Sequence, residues 1–112
     1  MVWGDGTPTR DFLFAADVAE GLLLAAENLE PPTYVNLGSE SEISIRELVE
    51  LIARYTGFRG QVSYDVSKAG GDAKRLASAA KAHDLLGFQP AIPIEEGLQR
   101  TVEWYRERLT AS

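Results

Sequence analysis

Apolar positions recur along this chain with two periods, and those periods predict its elements. Val18, Leu22, Ala25 and Leu29 fall three or four residues apart, the spacing of a helix with one inward stripe. That helix is predicted from about Asp17 to Asn28. Pro31 and Pro32 end it, because proline donates no amide and restricts the residue before it. Upstream, Trp3 to Pro8 is dense in turn formers and reads as an exposed loop leading through Phe12, Leu13 and Phe14. Thr33 to Leu37 is a short strand by the extended preference of Tyr34, Val35 and Leu37.

The second helix has the clearest start signal. Ser44 stands three residues before Glu47, a capping box, and Ile43 and Leu48 flank it as a hydrophobic staple. Leu48, Leu51, Ile52 and Tyr55 then line one face until Gly57 stops the helix. Gln61 to Val66 alternates apolar Val62, Tyr64 and Val66 with polar residues, the period of a strand. A third helix is predicted from about Ser78 to Leu86, ending at Gly87. A fourth begins near Pro93 with Ile94, Leu98, Val102, Tyr105 and Leu109 on one side. Glu95 and Glu96 in its first turn and Arg106 and Arg108 in its last complement the helix dipole. The pattern is α/β (α+β): one small, helix-rich domain over residues 1–112, with about four helices and two or three short strands.

Composition narrows the function. A chain of 112 residues is long enough for one core. A net charge of -6 argues against a nucleic-acid binder, which needs a basic face. The absence of cysteine removes disulfides, thiolate catalysis and cysteine-bound zinc, and the single histidine, His83, leaves no pair for a metal. The apolar run from Gly21 to Ala26 falls far short of the ~20 residues of a membrane span. No basic and apolar leader opens the chain, so the expected compartment is the cytoplasm.

Candidate chemistry is sparse. Gly4-Asp5-Gly6 lacks the third glycine of a dinucleotide loop, and no Walker-type Gly-Lys-Ser/Thr occurs. Tyr64 and Lys68 have the spacing of a catalytic Tyr-x-x-x-Lys pair, but that chemistry needs a helix. Alternation around Tyr64 instead predicts a strand tyrosine facing the core. Arg10 can present its fork to a diphosphate; spacing alone favours a surface arginine paired with Asp11 or Asp5. Lys68, Lys74 and Arg75 flank Gly70 and Gly71 in what is either an anion-binding patch or a solvated loop. Asp5, Asp11 and Asp17 do not match a calcium loop, His83 reads as a helix-surface residue, and Trp3, Trp104 and Tyr105 read as packing residues.

Four segments carry a resemblance in a fixed order. They are Val2 to Leu13 with Gly4-Asp5-Gly6 and Arg10-Asp11-Phe12, then Tyr34-Val35-Asn36-Leu37-Gly38-Ser39 with Ile43 to Leu48. Lys68 to Ala82 with Leu85-Leu86-Gly87-Phe88-Gln89-Pro90 follows, and then Glu95 to Tyr105. Together they resemble the C-terminal, substrate-binding part of the NAD-dependent epimerases and dehydratases. These extended short-chain dehydrogenases act on nucleotide sugars and include GDP-fucose synthase and UDP-galactose 4-epimerase.

The resemblance implies that Arg10 grips the diphosphate of a nucleotide sugar. Lys68 falls where members place a second basic contact, and Trp3 matches an aromatic beside the substrate entrance. The family's NAD(P) loop and catalytic Tyr–Lys helix belong to a region without counterpart in this sequence, so neither cofactor-binding nor catalytic residues are assigned here. Ala15-Ala16-Asp17 replaces a tandem acidic pair, and Ala77 to Ala80 replaces a β-branched segment.

Two functional classes follow. One is part of an active enzyme whose NAD domain is supplied by another segment. The other, favoured because Met1 falls within a motif internal to the family, is a substrate-binding module not competent alone, with weak nucleotide-diphosphate affinity. The expected partner is an NAD-binding domain or a second copy of the chain, paired through Tyr34 or Val35 on an open strand edge.

Overall fold

Local helix signals organise the chain, and strands form only where two segments happen to meet. A computed structural model describes residues 1–68, 72–75 and 78–111. Its elements run β1 (Val2–Trp3), β2 (Thr9–Arg10), α1 (Ala15–Asn28), β3 (Ile43–Ser44), α2 (Ile45–Thr56), β4 (Tyr64–Asp65), β5 (Lys74–Arg75), α3 (Ala80–Leu86) and α4 (Ile94–Thr110). The helix-rich α/β architecture agrees with the reading of the sequence. Ser44 caps α2 as predicted, its hydroxyl accepting the Glu47 amide at 3.1 Å. Gly57 ends α2 and Gly87 ends α3, both in the left-handed conformation that glycine adopts without strain.

The strands are shorter and differently placed than predicted. β1 pairs in parallel with β4, and β2 is the centre of a three-stranded sheet, antiparallel to β3 and parallel to β5. Thr33 to Leu37 is not a strand, because it runs beside no partner ladder and instead turns Leu37 toward Gly21 of α1. Of the predicted Gln61–Val66 strand only Tyr64 and Asp65 pair, where β1 reaches them. The opening loop is also not wholly exposed, since Gly4 and Gly6 are buried and Trp3 belongs to β1.

Helix starts shift by a turn or less. α1 begins at Ala15 rather than Asp17. α3 begins at Ala80, because the Glu40 carboxylate accepts from the Ala79 amide and the Ser78 hydroxyl and holds those residues outside the helix. Glu40 itself has φ 60, and its amide donates to Asp11.

α1 is rotated from its predicted stripe. Asp17 and Gly21 face inward, whereas Leu22 is 60% exposed. The reason is spatial. Leu37 and Phe88 pack so tightly on Gly21 that a Cβ there would lie 2.7 Å from Leu37 and 3.1 Å from Phe88. Asp17, only 3% exposed, accepts the amides of Ala91 and Ile92 at 3.1 and 3.0 Å. On α4, Ile94, Leu98 and Val102 are half-buried as expected. Trp104, Tyr105 and Leu109 are exposed, so neither Trp104 nor Tyr105 is a packing residue.

Buried apolar side chains are few: among the described residues, Ile43, Ala79, Ala82 and Phe88. The molecule measures 49 × 38 × 20 Å with a radius of gyration of 16.8 Å. A compact domain of this length has a radius of about 13 Å. With so little apolar burial, the Asp17 contacts matter disproportionately. Asp17→Ala leaves two amides without their acceptor and is expected to cost about 2–4 kcal/mol. Asp84→Ala on the surface of α3 should change stability by less than ~0.5 kcal/mol. Urea unfolding of the two variants beside the parent chain measures both.

Candidate functional site

Of the residues singled out for phosphate and substrate contact, Arg10 and Trp3 lie on the two small sheets and Lys68 follows β4. Arg10 sits on β2, the central strand, and is half-buried. Its Nη1 donates to the Thr9 carbonyl at 2.6 Å and to the Asp72 carbonyl at 2.9 Å. Both bonds use one terminal nitrogen, which fixes the guanidinium plane while committing only part of its fork of donors. The predicted pairing with Asp5 or Asp11 is not what the geometry gives. Asp11 accepts the amides of Ser39 and Glu40 and the Ser39 hydroxyl, while Asp5 accepts the Thr7 amide at 2.9 Å and hydroxyl at 2.7 Å.

Lys68 and Trp3 come together beside the other sheet. Parallel pairing sets Trp3 opposite Asp65. The turn after β4 closes with the Lys68 amide donating to the Asp65 carbonyl at 3.2 Å. Lys68 Nζ then lies 5.6 Å from the centre of the Trp3 indole, a cation–π distance. Trp3 is 65% exposed, so it presents its ring to solvent rather than packing in a core. Tyr64 and Lys68 do not form a catalytic pair. Tyr64 is on β4 beneath the Arg46 guanidinium, 4.1 Å from its ring centre, and is half-buried as expected of a strand tyrosine.

The basic patch is partly neutralised. Lys74 pairs with Glu42 at 3.4 Å, and Glu42 also accepts the Thr9 hydroxyl. Gly70, Gly71 and Ala77 lie outside the described residues. His83 is exposed beside Asp84, 3.5 Å away. Among the described residues no group of three or more His, Asp or Glu side chains is placed to hold a metal ion. No helix among them is long and apolar enough to cross a membrane.

Sequence reasoning missed the residues that hold the Gly4–Pro8 loop in front of Arg10. Arg46 Nη2 donates to the Asp5 carbonyl at 2.6 Å, and the amides of Ile45 and Arg46 donate to the carbonyls of Pro8 and Gly6, both at 2.9 Å. A Cβ on Gly6 would lie 2.8 Å from Tyr64 and 3.0 Å from Arg46, so this close approach requires glycine. The available signal was Gly6 itself, set before a capped helix. A cleft of about 470 Å³, lined by Phe12, Ile43, Glu47, Pro90 and Ile94 among others, contains none of Trp3, Arg10 and Lys68.

Two carboxyls are held below their ordinary range. The Thr7 hydroxyl and amide lower Asp5; for Glu42 the Thr9 hydroxyl acts first and the Lys74 ammonium adds to it. Each therefore ionises more readily in the folded chain. The stabilisation is complete above the unfolded value and is lost as pH falls through the lowered folded one. The Glu42 carboxyl should titrate below an ordinary glutamate in the parent chain and move upward in Thr9→Val. Carboxyl carbon shifts followed through the acid range measure that displacement.

A model of the GDP-mannose 4,6 dehydratase family matches residues 1–101. A probable GDP-L-fucose synthase of Oryza sativa is 36% identical over 112 residues, all of this chain and 34% of that protein. The GDP-L-fucose synthase of Escherichia coli is 34% identical, covering 96% of this chain and 36% of its own length. Among solved structures, a UDP-glucose 4-epimerase with UDP-glucose from Thermotoga maritima superposes with a TM-score of 0.87 at 32% identity. That match covers 96% of this chain and 35% of the other. A GDP-L-fucose synthetase from Naegleria fowleri bound to NADP gives 0.89 at 33% identity, covering 99% and 35%. The chain thus spans about a third of the length of the relatives it matches.

Proposed function

Because this chain belongs to the GDP-mannose 4,6 dehydratase family of extended short-chain dehydrogenases, we propose that it is the substrate-binding part of an NAD(P)-dependent nucleotide-sugar epimerase, dehydratase or reductase. In this reading Arg10 and Lys68 meet the diphosphate, and Trp3 lies beside the bound nucleotide sugar. The observation that carries it is the state of Arg10. The residue is half-buried on the central strand of a sheet, and its guanidinium is oriented by two backbone carbonyls. An arginine so oriented has further N–H donors of its fork to aim at an anionic ligand.

The chain alone is not catalytically competent in this reading. It carries no dinucleotide loop and no Tyr–Lys pair on a helix. The solved relatives hold NADP or UDP-glucose, and about two thirds of their length lies outside the match. NAD(P) is accordingly assigned to an NAD-binding portion supplied by another segment, in the cytoplasm. A second reading, an active enzyme once that portion is present, draws support from the expanded shape, which leaves room for a large partner. Without it, the chain pairs with a second copy of itself.

UDP and GDP should bind the isolated chain no more tightly than about 1 mM, since two charge-assisted contacts without a base pocket supply little affinity. Added salt should weaken the binding further. Amide shifts during titration measure it, and Arg10→Ala is expected to abolish them. Unchanged shifts in that variant would remove the phosphate assignment, and micromolar NAD binding by calorimetry would remove the division of labour.

A further inference from the structure

We infer that Glu42 is a positioning residue for Arg10: it ties β5 to the sheet and so holds in place the Asp72 carbonyl that orients the guanidinium. The inference deepens the reading of Arg10 as a phosphate contact and rests on it. Of the two carbonyls that Arg10 Nη1 meets, that of Thr9 comes with the strand itself, one residue back. The Asp72 carbonyl lies 62 residues away in the chain and is within reach only while β5 stays on β2. What fixes β5 therefore fixes the guanidinium plane.

β5 has little of its own to hold it. It is two residues long and, among the described residues, pairs with β2 alone at the edge of the sheet. A strand this short is marginal without side chains that link it to its neighbours. The backbone contributes a bond from the Thr9 amide to the Ala73 carbonyl at 2.9 Å.

Glu42 supplies the side-chain tie. It precedes β3, on the far side of β2, and its carboxylate reaches across the central strand. One oxygen accepts the Thr9 hydroxyl, and the other lies 3.4 Å from Lys74 Nζ. Thr9 and Lys74 are register partners, so a single carboxylate links the approach to β3 with both β2 and β5. Its hold on Lys74 falls two residues from the carbonyl that Arg10 uses. Glu42 thus acts on Arg10 through the backbone of β5.

Side-chain nitrogen NMR of Arg10 in the whole, ligand-free chain tests this role. The two Nη groups of the parent chain should give separate signals, because a guanidinium bonded at one end rotates slowly. Glu42→Gln and Lys74→Gln each break the tie at an exposed position. Both should merge those signals and speed exchange of the Thr9 amide, with the helical circular dichroism retained. Glu42→Lys combined with Lys74→Glu exchanges the two charges, keeps the net charge of -6 and should restore both readouts.

UDP-induced shifts in the same variants separate positioning from simple attraction. By attraction alone, Glu42→Gln would strengthen UDP binding and Lys74→Gln would weaken it. Positioning predicts that both weaken it, by about two- to fivefold given the modest worth of an exposed ion pair, and that the exchanged pair recovers it. Separate Arg10 signals in either single variant would overturn the role of Glu42. So would UDP affinities that move in opposite directions, or an exchanged pair that recovers nothing. Arg10 signals that respond as expected in a chain showing no UDP shifts would uphold the role and count against the phosphate contact alone.

Discussion

A buried carboxylate, rather than a hydrophobic cluster, holds the centre of this fold. Asp17 enters from the first turn of α1 and receives two successive amides from the segment that leads into α4. Those amides sit where the chain has left α3 and not yet begun α4, so no helix or strand supplies them with an acceptor. Once Asp17 faces inward, Gly21 faces inward one turn later, and Leu37 and Phe88 can close on a position with no side chain. The same arrangement carries the α4 N-terminus toward Phe14, which lies against Gly97. One polar contact therefore sets the rotation of α1, the path of residues 33–39 and the approach of α4.

The sequence was legible where its signals are local. Ser44, Glu47 and Gly57 announce α2 within a dozen residues, and Pro93 announces α4, because capping and stop chemistry act on neighbours. Strands of two residues have no such signal. β4 exists because Val2 and Trp3 lie beside it, and a segment of extended preference such as Tyr34 to Leu37 stays a loop when no ladder faces it. The stripe on α1 was right in part for a related reason. Val18, Ala25 and Leu29 are half-buried, but Leu22 is exposed, and the most buried positions are an aspartate and a glycine, which apolar periodicity does not flag. Arg10, Lys68 and Trp3 were picked out by resemblance to a family; the stacking of Lys68 on Trp3 needed the β1–β4 pairing to become visible.

Thinness and function are connected. A slab 20 Å deep holds little more than one layer of helices with a strand pair at its edge. Such a layer cannot shield both faces of any element, which is why α1 is wet on an apolar side and Trp3 presents its ring to solvent. The exposed aromatic and the half-buried arginine are thus products of the same architecture. It trades a private core for exposed surface on both faces.

The position of β2 has a consequence for how the molecule assembles. Thr9 on this strand bonds Glu42, 33 residues on, and Arg10 bonds Asp72, 62 residues on. Closing loops of that length costs chain entropy before the contacts return anything, whereas α2 and α4 gain their bonds turn by turn. The strand that carries Arg10 is therefore expected to pair late in folding. The long-range Arg10 contacts are therefore expected to form after the helices on the way in and to open before them on the way out.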